Sequence, residues 1–180
     1  MGLIPSVRAR RSFKKKHALS EIICNTSPVQ YLHQLELFYV LRDLIGGLIV
    51  PPAVVAELEE GRALGFNLPD LTALNWVTIR SPVSKKAVPL VAGLGPGEVE
   101  ALMLAIEGRE AVVVLDDALA RRVAGTLGLR YTGTLGLLLD AKQAGLIPAV
   151  APFLEQLQDL RFRLSPQTRA AVLKMAGEGL

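Results

Sequence analysis

Residues 111–117, AVVVLDD, consist of five apolar residues followed directly by two aspartates. Three of the apolar residues are valines, and a short, continuous, β-branched run of this kind is typical of a parallel strand buried on both faces. Asp116 and Asp117 lie where that strand would end. The stretch therefore predicts an α/β protein built around a parallel sheet, with acidic side chains at the end of one strand.

Shorter apolar runs on both sides of this strand alternate with helical patterns. They predict further strands at residues 22–24, 48–50, 76–79 and 129–132. Helices are predicted at residues 29–35, 38–44, 98–107 and 135–144. Three further helices are predicted: one that ends before Gly61, one that runs through Ala124, and one in the C-terminal tail that starts at Ser165-Pro166. Residues 25–28, NTSP, predict a helix start capped by Thr26 or Ser27. This alternation favours a parallel sheet with helices on both faces.

Composition excludes several classes of protein. The chain has 180 residues, 51% of them hydrophobic and 21% charged, which is typical of a globular domain. A single cysteine, Cys24, excludes a disulfide framework and a multi-cysteine zinc site, and its apolar neighbours predict that it is buried. No apolar run reaches the roughly 18 residues of a membrane span. Residues 17–21 would interrupt a secretory signal. We therefore expect a cytoplasmic protein without membrane contact.

The net charge of +3 is unevenly distributed along the chain. Residues 1–20 hold six basic and no acidic residues, which leaves 14 basic against 17 acidic residues in 21–180. We expect a basic N-terminal arm at residues 1–20 and a single domain at residues 21–180. The arm could contact RNA phosphates. The alternatives are a disordered tail, an extension from an upstream start codon, or a short organellar transit peptide.

Oxygen-bearing side chains follow several of the predicted strands. In open α/β sheets, ligands bind beyond the carboxyl ends of the strands. The candidates there are Asn25, Thr26, Ser27, Glu57, Glu98, Asp116, Asp117 and Thr134. Such hard oxygen ligands suit Mg²⁺ or Mn²⁺, and metals held by clustered carboxylates activate water for phosphodiester hydrolysis.

Each candidate also has a purely structural interpretation. Glu98 is favourable at a helix N-terminus, and Glu57, which stands near Glu59 and Glu60, could belong to a solvated helix face. Asp116 and Asp117 could cap a helix, as could residues 25–27. The residues alone therefore leave an acidic α/β pocket and ordinary helix capping both open.

Taken together, the motifs resemble the PIN-domain nucleases, and more closely a PIN-like family of prokaryotic proteins often linked to toxin–antitoxin modules. The similarity runs from about Glu21 to Glu178. The matching stretches are residues 23–28 (ICNTSP), 49–54 (IVPPAV) with Glu57-Leu58, 94–101 (LGPGEVEA), 115–117 (LDD), 133–136 (GTLG), 144–148 (AGLIP) and 162–165 (FRLS).

The resemblance implies a three-layer α/β/α sandwich with a central parallel sheet and a metal-dependent ribonuclease site. The acidic positions of the family fall on Glu57, Glu98 and Asp117, with Asp116 adjacent, and its polar position after the next strand falls on Thr134. The first acidic position, usually aspartate, falls on Asn25. An amide oxygen can still contact Mg²⁺, but the site then has one negative charge fewer.

Three hypotheses follow. The first is a Mg²⁺- or Mn²⁺-dependent endoribonuclease, either alone or as the toxin partner of a small antitoxin protein. The second is a catalytically impaired PIN fold that binds RNA or a protein. The third is an unrelated metal-dependent phosphohydrolase. The resemblance also suggests a homodimer; the apolar C-terminal residues Phe153, Leu154, Leu157 and Leu160 would form its interface or pack on their own sheet.

Overall fold

Strands and helices joined by loops make up the described part of the chain. The computed structural model describes residues 20–83, 92–108 and 110–179. Most of the predicted arm at residues 1–20 therefore lies outside the described residues. So does most of residues 81–89, whose Ser, Lys and Pro residues predict a linker. The five strands are β1 (Ile22–Cys24), β2 (Leu48–Val50), β3 (Val77–Ile79), β4 (Val112–Val114) and β5 (Arg130–Thr132).

Eight α-helices connect and cover these strands in the described residues. They are α1 (Thr26–Gln34), α2 (Phe38–Ile45), α3 (Pro52–Ala63), α4 (Pro96–Glu107), α5 (Ala118–Thr126), α6 (Thr134–Gln143), α7 (Ala151–Asp159) and α8 (Pro166–Met175), with a short 3₁₀ turn at Leu71–Ala73. None of these helices is long and apolar enough to cross a membrane.

The sheet is parallel throughout, with strand order β3-β2-β1-β4-β5. β1 lies at its centre and pairs with β4 in the register Ile22↔Val112 and Cys24↔Val114. The AVVVL run thus forms an interior strand, as its composition predicts. Because β1 and β4 are neighbours and parallel, the residues that follow Cys24 and Val114 emerge side by side at one edge of the sheet.

Two apolar layers cover the sheet. On one face, Ile22 and Cys24 pack with α1, α2, α3, α6 and α7. On the other face, Ile23 and Val113 pack with α4 and α5. Successive strand side chains point to opposite faces, so each short strand contributes to both layers, and each fully buried Val or Ile contributes roughly 1.5–3 kcal/mol. The fold is the predicted three-layer α/β/α sandwich, and Cys24 is fully buried in it.

Two predicted helix boundaries were wrong. α1 begins at Thr26, so Asn25 occupies the N-cap position rather than Thr26 or Ser27, and its side chain makes no capping hydrogen bond. α3 continues through Gly61 to Ala63. The helix ends two residues before Gly65, which adopts a left-handed φ of 88° that few other residues accept. The predicted cap at Ser165 is confirmed: its hydroxyl accepts from the Thr168 N–H at 3.0 Å.

The C-terminal apolar segment packs within its own domain. Leu154 and Leu157 are fully buried in the core, and Phe153 and Leu160 pack against it. Near the C-terminus, the Glu178 carboxylate accepts from the Val150 and Ala151 N–H groups at 2.7 and 2.8 Å and pairs with Lys142. This side chain joins the chain end to the start of α7 and to α6.

We expect the Glu178→Gln substitution to remove a component of stability that depends on pH. The hydrogen bond from Lys142, and then those from the backbone, lower the pKa of Glu178 from 4.5 to about 2. A carboxyl with a depressed pKa stabilises the fold above its unfolded value and loses that contribution as the pH falls through the folded value. The variant should therefore be less stable by about 1.5 kcal/mol at pH 7, and should resemble the natural chain near pH 2.

Urea unfolding at pH 7, 5, 4 and 3 measures this difference. Glu155→Gln serves as the control because Glu155 also pairs with a basic side chain, Arg169, but is 70% exposed. A constant difference between the natural chain and Glu178→Gln across this pH range would contradict the assignment.

Candidate active site

Four predicted site residues lie at the edge of the sheet where β1 and β4 end. Asn25 follows β1 directly, and its N–H donates to the Val114 carbonyl at 3.2 Å. Asp116 and Asp117 follow β4 after one further residue. Glu98 approaches the same edge from the first turn of α4. Sheet pairing therefore places side chains that lie far apart in sequence next to one another.

Asn25 is the most unusual residue of this edge. It is 3% exposed, and its Oδ1 has no hydrogen-bond partner. A buried acceptor without a partner costs about 1–3 kcal/mol, so such groups call for a ligand or an ion. Its amide also stabilises the charged form of Glu98, since it helps to lower the pKa of that carboxyl.

Gly97 makes room for this arrangement. A Cβ at Gly97 would lie 2.9 Å from Asn25 Oδ1 and 2.9 and 3.0 Å from the two carboxylate oxygens of Glu57. Real Cβ atoms are almost never so close to another heavy atom. The absence of a side chain at Gly97 therefore lets the start of α4 approach Asn25 and Glu57.

Glu57 braces three helices. Its Oε1 accepts from the Gly97 N–H at 2.8 Å, and its Oε2 accepts from the Thr26 hydroxyl. The carboxylate on α3 thus joins the first turn of α1 to the first turn of α4. Each oxygen accepts one hydrogen bond, and a carboxylate oxygen with one such bond can still contact a cation, so the predicted role of Glu57 as a metal ligand stays a prediction.

Glu98 lies at the third position of α4, where its Oε2 accepts from the Gly95 N–H at 2.7 Å. Burial raises the pKa of Glu98, and the negative charges of Asp117 and Glu57 raise it further. The hydrogen bonds from Gly95 and Asn25 act in the opposite direction. The charged form of Glu98 is therefore opposed by its acidic neighbours, and a cation at this edge would relieve that repulsion.

The two aspartates have different surroundings. Asp117 caps α5: its exposed carboxylate accepts through Oδ1 from the Leu119 and Ala120 N–H groups at 2.8 and 2.9 Å. Its Oδ2 takes no part in this cap. Asp116 is held by Thr134, whose N–H and hydroxyl donate to its two oxygens at 2.8 and 2.6 Å. Burial raises the pKa of Asp116, while the Thr134 hydrogen bonds and the charge of Arg121 lower it.

A cavity of about 420 Å³ opens over this edge. It is lined by Ser27, Tyr31, Glu98, Asp116, Asp117, Ala118, Arg161, Phe162 and Arg163. Sequence reasoning missed Tyr31, Arg161 and Arg163 as lining residues. Phe162-Arg163 did lie in one of the matching family motifs, which was the one available signal.

The oxygen donors at this edge include an amide as well as carboxylates. Among the described residues, no three His, Cys, Asp or Glu side chains form a group that could hold a metal ion. A hard divalent cation can be held by one or two carboxylates with water, and the amide oxygen of Asn25, beside Glu98, would add a further oxygen donor. The unpartnered, buried Asn25 Oδ1 fits that use.

We expect Gly97→Ala to disturb the site through packing alone. The added methyl group would collide with three oxygens of Asn25 and Glu57, so the start of α4 must shift. Overpacking of this kind costs about 1–3 kcal/mol. Thermal unfolding should show a lower Tm for Gly97→Ala than for the natural chain. Gly128→Ala is the control, because Gly128 has open space around it and its left-handed φ of 68° is the only obstacle to a side chain. A decrease in Tm no larger at Gly97 than at Gly128 would show that the close contacts do not matter.

A known protein family matches most of the chain. The DUF3368 family model, described as a PIN domain, matches residues 21–178. No curated protein and no solved structure matches the chain. PIN domains are in general nucleases, a type of hydrolase. Because the match covers most of the chain and agrees with the parallel sheet described above, the chain belongs to the DUF3368 family of PIN domains.

Proposed function

We propose that the chain is a Mg²⁺- or Mn²⁺-dependent endoribonuclease that acts in the cytoplasm, with its site at the joined ends of β1 and β4. The observation that carries this proposal is the buried Asn25 Oδ1, which lacks a partner and stands next to Glu98 on the edge shared with Asp117. An oxygen-rich edge under an open cavity is suited to hold a hard cation close to a phosphodiester.

The protein's own residues have separate tasks in this proposal. Asn25, Glu98 and Asp117 would hold the cation. Glu57 fixes the turns that carry Asn25 and Glu98, and Thr134 fixes Asp116, whose carboxylate adds negative charge behind Asp117. A bound divalent cation activates water and neutralises the charge that develops on the phosphate. The cavity lined by Ser27 and Tyr31 receives the substrate.

The test is cleavage of a labelled single-stranded RNA by the purified protein. We expect internal cleavage in Mg²⁺ or Mn²⁺ and none in EDTA, with activity restored by excess metal. Cleavage that persists in EDTA would contradict metal dependence. Hydrolysis of small phosphoesters without cleavage of RNA would instead support a general phosphohydrolase.

A second candidate function is favoured by the missing carboxylate at Asn25. In this alternative the PIN fold binds RNA or a partner protein without cutting, because the described acidic groups do not by themselves form a metal cluster. RNA binding without cleavage at any Mg²⁺ or Mn²⁺ concentration would support it.

The partners belong to the same proposal. A small antitoxin protein would bind the site and prevent cleavage, and an adjacent small reading frame in the gene neighbourhood would identify a candidate. The homodimer is tested by the mass of the purified protein in solution. A monomer would remove the dimer from the proposal and leave the site unchanged.

A further inference from the structure

We propose that Arg161 and Arg163 form a phosphate-binding wall that holds the backbone of single-stranded RNA against the carboxylates of the site. The proposal rests on the nuclease function given above and names the residues that would bring the substrate to the cavity. Neither arginine belongs to the set of acidic and polar residues predicted from the sequence.

Acidic and basic residues line the same cavity. Glu98, Asp116 and Asp117 are the acidic ones, and Arg161 and Arg163 are the basic ones. Both arginines are exposed, and in the part of the chain that the structure describes, none of the ion pairs includes either of them. The acidic and the basic residues therefore line one cavity without being joined by a salt bridge.

The backbone fixes the position of Arg161. At the end of α7, the Arg161 N–H donates to the Gln158 carbonyl and the Phe162 N–H to the Leu157 carbonyl, both at 2.9 Å. Arg161 itself adopts a left-handed φ of 63°. A helix end of this form usually has glycine at that position, because any Cβ is unfavourable there.

Phe162 anchors the segment between the two arginines. Its ring packs edge-on against Tyr31 of α1, with centroids 5.1 Å apart and planes at 77°. Tyr31 lines the same cavity. Burial raises the pKa of its hydroxyl, Asp116 raises it further, and Arg163 lowers it. Arg163 lines that cavity too, which places it close to the space a substrate would occupy.

Phosphate is the ligand that suits this combination of residues. An acidic site repels a polyanion, and exposed guanidinium groups in the same cavity offset that repulsion while presenting paired donors to phosphate oxygens. Aromatic side chains beside a basic wall are typical of single-strand binding. A single strand could therefore lie along Arg161 and Arg163 with one phosphate directed towards Glu98 and Asp117.

The experiment measures binding without cleavage. Fluorescence anisotropy of a labelled single-stranded RNA in EDTA, at several salt concentrations, is recorded for the full chain and its variants. Arg163→Gln should weaken binding about fivefold to tenfold and reduce the salt slope by about 0.7 for each phosphate that the variant no longer neutralises. Arg42→Gln is the matched control, because Arg42 is an exposed arginine on α2 that pairs with Asp43.

Arg161→Gly separates binding from folding. Glycine accepts the left-handed φ, so the variant should have a Tm equal to or above that of the natural chain. Its RNA affinity should nevertheless fall about fivefold to tenfold. Because affinity should fall while Tm does not, misfolding cannot imitate the predicted result.

The outcomes separate this proposal from the nuclease function. If the double variant Arg161→Gly, Arg163→Gln binds RNA as the natural chain does while metal-dependent cleavage persists, the phosphate wall is wrong and the nuclease function stands. A natural chain that does not bind RNA contradicts both. Equal decreases in affinity for RNA and for DNA of the same sequence support phosphate binding, and a decrease confined to RNA contradicts it.

Discussion

Glu98→Gln is expected to reduce RNA cleavage about 100-fold or more, the effect of removing several kcal/mol of charge stabilisation at a metal-dependent site. Glutamine keeps nearly the same shape and can still accept from the Gly95 N–H at the start of α4, where glutamate and glutamine are both favourable. Stability should therefore change little. Substitution should also relieve the repulsion that Asp117 and Glu57 exert on the Glu98 carboxylate.

Single-turnover cleavage rates in Mg²⁺, together with Tm values, measure the two effects of this substitution. Glu59→Gln is the matched control, because it makes the same chemical change on an exposed face of α3 away from the cavity-lining residues. Equal cleavage rates for the natural chain, Glu98→Gln and Glu59→Gln would remove Glu98 from the site.

Asn25→Asp is expected to have the opposite effect, a gain of function. The substitution places a carboxylate where Oδ1 now lacks a partner and adds the charge that most PIN nucleases are expected to have at this position. Metal affinity rises with the number of charged ligands, so half-maximal cleavage should need about tenfold less Mn²⁺, equivalent to about 1.4 kcal/mol.

The same variant should be less stable without metal. A new carboxylate would be almost completely buried if it took the place of Asn25, which is 3% exposed, and would lie beside Glu98. Burying an unpaired charge is costly, so Tm should fall in EDTA and recover as Mn²⁺ is added. An unchanged Mn²⁺ requirement and a Tm insensitive to Mn²⁺ would show that this position does not contact the metal.

Much of the fold is predictable from local patterns. The AVVVL run predicts a strand covered on both faces, and the structure confirms this because Val112 and Val113 point into different apolar layers. The strand order could not be predicted from local patterns, because nothing in the sequence of β1 or β4 shows that they pair. Helix ends were least predictable, since the helix continues through Gly61 and ends two residues before Gly65.

The candidate site also has a predictable and an unpredictable part. The position of Asn25, Asp116 and Asp117 at one edge of the sheet could be predicted, because parallel strands direct the residues that follow them to a common edge. The bracing role of Glu57 could not, because it depends on how closely Gly97 approaches α3. The position of Arg161 and Arg163 at the cavity could not be predicted either. The segment that carries them packs through Phe162 on Tyr31, and these two residues lie far apart in sequence.

Anomalous diffraction from crystals of the natural chain soaked in Mn²⁺ tests the central claim most directly. We predict a manganese peak within bonding distance of Asn25 Oδ1, Glu98 and Asp117, and disappearance of that peak in Glu98→Gln. A fully soaked crystal with no peak at the joined ends of β1 and β4, or with manganese bound only elsewhere, would contradict the metal-dependent site proposed for this PIN domain.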